Sequence, residues 1–582
     1  MAKTASKSRA RTTVVVAPPE PAARNWMWIL CPGIALVVAV AVFAPALKGT
    51  FVFDDFNLPF ANPQAGQMPA RFWIGGVRPV LMATYWMNFL MSGTSPFGYH
   101  LFNVLIHVAT SAIMFFIYDR LFAIAKPAVP LAAERKWFAF AGAAVFLLHP
   151  LQTEAIDYIA GRSELVSGFF FFAAWLVFLR NFEKDATFVL TLKIAVLSGL
   201  AVLGKESAIS LPGLLLLTDF YFSKQPIVKQ LRSRIKLYSV FLLGGLGAAI
   251  LILRSLTGAT AAGFQSGASP FEYALTQCRV ILTYIRLFIL PFGQNGDWQL
   301  PFYHSFTDGG AAVYAIALLL ALAATVWLYQ RDRVISFGLA AFFLMLAPTS
   351  SFVPVADALA ERRMYLPLAG LIFAVLGAVA RMRLTPAARW AGAIAALLIL
   401  SALSYNRSVA WASDLTLWSD SVQRNPDGFR AHYGLGSAML ARGDCADAVG
   451  QLSKARSMPG PTQGVSRNQL VWNLAEAYQC SKQPTEALAA YQSYAAVQPT
   501  SAAYHQIGFV EASLGHSDAA MAAFAQALAL DPNDATAYTY RGLARIALND
   551  LDGAESDLHR AIELDPGNQM AVQGLATVAS RR

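Results

Sequence analysis

Apolar residues fall along the first two thirds of this chain in long unbroken stretches. They occupy residues 26–46, 99–119, 138–156, 164–179, 187–203, 207–222, 237–253, 273–290, 311–328, 334–348, 364–380 and 387–404. Runs of this length match the hydrocarbon thickness of a bilayer, so each predicts a helix within or across a membrane. After residue 404 the pattern changes to a repeat. Asp531-Pro532 and Asp565-Pro566 stand 34 residues apart, and Gln498-Pro499 lies 33 earlier. That period belongs to tetratricopeptide repeats, each a pair of antiparallel helices. Within 535–568 the pattern reads Tyr538, Gly542, Ala554, Leu558, Ala561, Pro566, and within 501–534 it reads Tyr504, Gly508, Ala520, Phe524, Ala527, Pro532. Copies at 468–500 and, more weakly, at 429–462 bring the count to about four. A partial repeat with Trp411, Trp418 and Asn425-Pro426 joins them to the last apolar run.

The composition agrees with two architectures in one chain. Of 582 residues, 56% are apolar and only 14% charged, against roughly a quarter charged in soluble proteins. Disorder, a fibrous repeat and an ordinary cytosolic enzyme are thereby excluded for most of the length. Net charge is +14 over residues 1–404 and −4 over 405–582. Residues 1–25 read as a disordered basic tail. Ala44-Pro45-Ala46 resembles a signal cleavage site, yet the many later runs favour a retained first helix.

With that tail cytoplasmic, Arg120/Lys126/Arg135/Lys136, Arg180/Lys184 and Lys224/Lys229/Arg232/Arg234/Lys236 fall in cytoplasmic loops, as the positive-inside rule requires. Arg331/Arg333 and Arg381/Arg383/Arg389 join them only if the 273–290 run does not cross. Arg279 and Arg286, seven apart on one face of that run, suit a re-entrant or interfacial helix. The expectation is eleven crossings, an external C-terminal domain, and basic residues that report topology rather than nucleic-acid binding. Cys445 and Cys480 are compatible with a disulfide if that domain is extracytoplasmic, and no cysteine–histidine spacing fits zinc.

Sorted by side, the external polar residues form four groups. The first is Asp54-Asp55 just beyond the first helix, with Arg78-Pro79; the carboxylates suit either a general base or a helix N-terminus. The second is Tyr99, His100, Asn103 and His107, of which the last three share one helical face. His107 reads as an interhelical hydrogen bond. The third comprises His149-Pro150, Glu154, Arg162 and Glu164, with Lys205-Glu206 in the next external turn. There Glu164 or Glu206 can neutralise Arg162 or Lys205. The fourth is Asp297-Trp298 and His304 together with Glu361-Arg362-Arg363-Met364-Tyr365-Leu366-Pro367. Cations and carboxylates at one leaflet suit a substrate with a lipid tail and an anionic head.

These residues carry a resemblance. Phe53-Asp54-Asp55, Arg78-Pro79, Tyr99–His107, His149-Pro150 through Arg162, Lys205-Glu206, Asp297-Trp298, Arg363-Met364-Tyr365-Leu366-Pro367 and Trp411 resemble, in that order, the GT-C glycosyltransferases. The resemblance is to the transmembrane-and-tetratricopeptide protein O-mannosyltransferases (the TMTC family) and their bacterial relatives, although an array of about four repeats is shorter than theirs. It implies an all-α fold: a GT-C-like polytopic bundle over 26–404 followed by a repeat solenoid over 405–582. It further implies inverting transfer of a hexose, mannose in the family, from a polyprenyl-phosphate donor to Ser/Thr hydroxyls of a protein. Asp54 or Asp55 would be the base, and Arg162, Lys205, Arg362 and Arg363 would hold the phosphate. Arg78, His100, His149, Glu154, Glu206, Asp297 and Tyr365 would shape the site. The resemblance implies no metal and no cofactor, with the repeats meeting the acceptor or a partner protein. Two other readings are a lipid or polysaccharide acceptor on the same fold, and a non-enzymatic membrane anchor for a repeat scaffold.

Overall fold

The structure, a computed structural model, describes residues 27–62, 64–125, 131–256, 268–355, 357–458 and 465–582. The basic tail lies outside them. Among the described residues the fold is all-helical, without a strand. Most apolar runs appear as single helices, including Pro96–Ala125, Arg162–Arg180, Ala311–Arg331 and Pro386–Ala410. This last helix continues past residue 404 and delivers the chain directly to the repeats. The run at 138–156 is instead broken: Leu131–Leu148 ends at His149-Pro150, and a short helix, Thr153–Asp157, follows. Proline lacks the N–H and disfavours helix in the residue before it, which makes the break local and sharp. The two parts meet at 51°.

Four helices among the described residues are by length and composition able to span a bilayer: Pro96–Ala125, Ile159–Arg180, Ala311–Arg331 and Pro386–Ala410, with the bent pair a fifth. The other apolar helices are shorter, such as Phe188–Gly204, Arg333–Leu346 and Leu368–Arg381. They pack into the same core through Phe146, Phe172, Phe337, Phe373 and Tyr365. Gly168 permits one such approach, because a Cβ there would stand 2.5 Å from the Tyr365 ring. The connection after the first helix is itself structured, with helix Pro79–Ser92 between a series of tight turns and Pro96–Ala125.

The bundle has two chemically different ends. At one, Arg120 donates to the Leu179 carbonyl at 3.1 Å, Arg135 pairs with Asp119 at 2.7 Å and Arg389 pairs with Glu134. Arg234 meets Asp219 at 2.6 Å, Arg333 reaches the Tyr221 carbonyl and Arg381 pairs with Asp332. Arg120, Arg135, Arg234, Arg333, Arg381 and Arg389, described members of the basic clusters used to read topology, therefore gather at a single end, while Lys126 lies outside the described residues. Helix Pro270–Ile289 lies at the other. Its Tyr273 hydroxyl donates to the Thr349 carbonyl at 2.8 Å, Gln277 to Ala358 at 2.9 Å and Tyr284 to Ala360 at 2.8 Å. These three bonds tie the helix to residues 349–360, while Thr276 and Arg279 meet Tyr303 and the Phe288 carbonyl meets His149.

The repeats form four helix pairs: Phe429–Arg442 with Cys445–Ser457, Arg467–Cys480 with Pro484–Val497, Ser501–Ser513 with Ser517–Leu530, and Ala535–Ala547 with Leu551–Leu564. Gln569–Arg581 closes the array. The spacing of small and large residues explains the pairing. A Cβ on Gly508 would lie 2.5 Å from the Phe524 ring, so only glycine lets those helices meet. Cys445 and Cys480 form a disulfide, with Cα atoms 5.7 Å apart, joining the first pair to the second.

Candidate functional site

The two adjacent aspartates separate in space. They share a 3-10 turn, Phe53–Asn57, whose tight period points neighbouring side chains apart. Asp55 is fully buried. Its Oδ2 accepts the Val52 N–H at 3.1 Å and its Oδ1 the Ala160 N–H at 2.8 Å. Burial pushes its carboxyl up to about 7, against the two donors that pull it down. Asp54 is exposed, with the Asn57 amide 3.5 Å from it. It faces Tyr158, whose hydroxyl is raised well above its ordinary range, first by burial and then by the Asp54 charge.

Tyr158 connects this carboxylate to the cations. Its ring stacks on Trp411 with centroids 5.4 Å apart, and the Arg362 guanidinium lies 5.9 Å from its centre. Arg362 is held twice by Glu154, through its backbone N–H at 2.9 Å and through its guanidinium. Lys205 pairs with Glu164, and burial pulls its ammonium below the usual range while Glu164 opposes the shift. Arg78 donates to both oxygens of Glu206, at 2.9 and 2.8 Å. Glu164 thus neutralises Lys205, and Glu206 takes Arg78 from a different element. The Arg78 and Arg362 side chains retain 39% and 24% exposure, against 13% for Lys205, so their guanidinium groups can still meet an anion.

The remaining expected residues do other work. Arg162 is buried: it donates to the Asn103 side chain at 2.8 Å and to the Tyr99 and Thr84 carbonyls at 2.9 and 3.3 Å. The rings of Tyr85 and Phe102 lie 4.6 and 4.5 Å from it. That is a brace between helices, with no face left for a phosphate. Arg363 turns to the carbonyls of Asp357 and Ala358, at 2.6 and 2.9 Å. His100 is buried beside the backbone of Thr50 and Asp157. His149 accepts the Leu151 N–H through Nδ1 and reaches the Phe288 carbonyl at 3.0 Å, capping the proline break. Tyr365 lies in the core, its hydroxyl 3.0 Å from His107 Nδ1.

Asp297 belongs to the joint with the repeats, where Arg430 of the first repeat helix binds it and also Asp357, the latter at 2.8 Å. His304 sits apart with Glu272 at an exposed edge. Among the described residues no three His, Cys, Asp or Glu side chains gather as a metal site.

Three groups in this region are given no individual role from the sequence. Glu361 is buried and accepts from the Asn295 N–H at 2.7 Å, the Gln294 amide at 2.6 Å and Trp298 Nε1 at 3.1 Å. Burial pushes it up to about 7. Tyr158 lies between the apolar runs 138–156 and 164–179, and Arg430 lies among repeat residues.

A tetratricopeptide-repeat family model matches residues 415–461 and 510–569. The chain is 25% identical to a protein O-mannosyl-transferase of Caenorhabditis elegans, over 71% of this chain and 61% of that one. It is 24% identical to the protein O-mannosyl-transferase TMTC4 of Homo sapiens, over 71% and 64%. The human protein O-mannosyl-transferase TMTC3 is 23% identical over 94% of this chain and 65% of its own. Its curated relatives are protein O-mannosyl-transferases. The chain spans less than two thirds of the length of each of these relatives. The resemblance read from the ordered motifs and the resemblance found by comparison agree.

Proposed function

We propose that this chain is an integral-membrane protein O-mannosyltransferase taking mannose from a polyprenyl-phosphate donor. The observation that carries the reading is one exposed carboxylate, Asp54, facing Tyr158 with Arg362 over the same ring, and Lys205 within electrostatic reach of Arg362 and Arg78, in a chain whose relatives bear that activity's name. Asp54 takes the proton of an acceptor Ser/Thr hydroxyl. The hydroxyl oxygen bonds to the anomeric carbon from the face opposite the phosphate, and the C–O bond to the phosphate breaks with inversion. Its electron pair leaves on the polyprenyl phosphate. Preorganised cations stabilise that growing charge, here Arg362 and Arg78 at the exposed rim and Lys205 behind them. Glu154, Glu164 and Glu206 hold those cations in place. The reaction uses no metal and no cofactor.

The polar end faces the extracytoplasmic side of the cytoplasmic membrane. Collection of the basic clusters at the opposite end supports this through the positive-inside rule, and so does a disulfide in the repeats. The repeats engage the acceptor polypeptide or a partner protein.

The test compares glycopeptides and glycolipids of a deletion strain with its parent by mass spectrometry. Loss of hexose from peptides supports the reading. A change confined to glycolipid or polysaccharide assigns a different acceptor, and no change in either contradicts enzymatic function.

A further inference from the structure

Phe53, the residue that carries the chain into Asp54, has φ = +53°. Bulky L-residues rarely adopt the left-handed region, and where they do the surroundings must enforce it. Here the surroundings come largely from the repeat domain. The Phe53 N–H donates to Asp414 Oδ1 at 3.0 Å, a contact spanning 361 residues of sequence. Trp418, one turn further along the same helix, meets the Phe53 ring edge-on with centroids 5.3 Å apart. The Arg430 guanidinium lies 5.7 Å from that ring, anchored in turn by Asp297 and Asp357. Nearby, the Thr50 N–H donates to the Ala412 carbonyl at 3.1 Å. On the membrane side, the Phe53 ring meets that of Tyr158, with centroids 6.0 Å apart.

We propose that Asp414, Trp418 and Arg430 are positioning residues of the active site: the first repeat helices hold Phe53 left-handed and thereby set the direction of Asp54. The inference rests on Asp54 being the base. Without the clamp the Phe53 backbone relaxes to negative φ, which swings the next side chain away from Tyr158. The start of the repeat domain is on this account part of the catalytic apparatus, and replacing it with an unrelated anchor would cost turnover as well as acceptor binding.

The experiment uses full-length protein in nanodiscs with polyprenyl-phosphate mannose and an acceptor peptide. Asp414→Ala is compared with Asp414→Asn, whose amide oxygen still accepts the Phe53 N–H. Hydrogen–deuterium exchange across residues 50–58 is read in parallel. Asp414→Ala is expected to lower kcat by roughly tenfold or more, to leave the donor KM unchanged and to lose protection at Phe53. Asp414→Asn is expected to restore both kcat and protection. Should Asp414→Ala fail to fold, Trp418→Leu takes its place, with the same expected fall in kcat and loss of protection. Wild-type kcat in the alanine variant (or in Trp418→Leu, where that stands in), or equal impairment of alanine and asparagine, overturns the proposal. Failure of the enzymatic reading is distinct: wild-type protein then transfers nothing, while exchange at Phe53 still reports whether the repeats hold the turn.

Discussion

Asp55 and Ala160, 105 residues apart, are joined by a 2.8 Å hydrogen bond from the Ala160 N–H to the Asp55 carboxylate. This contact fastens the loop after the first helix to the turn that precedes Arg162. It also resolves the aspartate pair into a buried strut, Asp55, and an exposed group, Asp54.

The strut has a pH signature. Asp55 and Glu361 are both pushed up to about 7 by burial, from 3.8 and 4.5. Between about pH 4 and 7 the folded protein keeps protons that the unfolded chain has released, so stability falls as pH rises through that window and levels off above it. Asp55→Asn cannot titrate, and it loses one of two accepted N–H groups. Thermal unfolding in detergent from pH 4.5 to 8 should show a lower Tm for the variant but a shallower pH slope. Equal slopes for variant and wild type would rule the buried carboxyl out as the cause.

Arg162 is expected to behave as a structural residue. Arg162→Ala removes the donor of the buried Asn103 amide oxygen and the second donor of the Tyr99 and Thr84 helix carbonyls, at roughly 1–3 kcal/mol for the amide oxygen left buried and unpaired. Expression and Tm should drop sharply, while the donor KM of the folded fraction stays at the wild-type value. A stable variant with weakened donor binding would return Arg162 to the phosphate site.

Glu154 and Arg362 separate holding from binding. Arg362→Gln should raise the donor KM and lower kcat, by about 1.5–3 kcal/mol of lost charge-assisted hydrogen bonding in total. Glu154→Gln keeps the cation but loosens it, and should lower kcat with a smaller change in KM. Steady-state kinetics with polyprenyl-phosphate mannose checks both variants.

The sequence makes some of this plain and hides the rest for physical reasons. Apolar runs and the Pro532/Pro566 period report helices directly, because a lipid-facing or repeat-packed helix must carry its pattern in consecutive residues. Burial has no such local mark. Arg162 and Arg362 look alike as letters, yet one is enclosed by Tyr85, Phe102 and backbone carbonyls while the other reaches the rim. Asp54 and Asp55 are neighbours that only the geometry of a 3-10 turn tells apart. The pairings of Lys205 with Glu164 and of Arg78 with Glu206 depend on which turns meet in space. Phe53 with Asp414, and Asp297 with Arg430, join the membrane bundle to the repeats across more than a hundred residues. Repeat periodicity could not indicate that its first helices reach the site.

The disulfide offers a compartment test. Cys445 and Cys480 are separated by 35 residues, and closing such a loop stabilises the repeats by on the order of 3–4 kcal/mol in the chain-entropy model. Protein alkylated without reduction should carry no label at either cysteine, and reduction should lower the Tm of the repeats. Full labelling at both positions in freshly lysed cells would place the repeats in a reducing compartment.

The most direct test of the central claim is transfer by Asp54→Asn in nanodiscs, with Asp55→Asn alongside. Asparagine preserves the size of the side chain and removes the basic carboxylate, so turnover should fall by about 100-fold or more, with insertion, Tm and donor affinity unchanged. Asp55→Asn should instead lose stability while its folded fraction keeps measurable turnover. Wild-type turnover in Asp54→Asn would contradict the account.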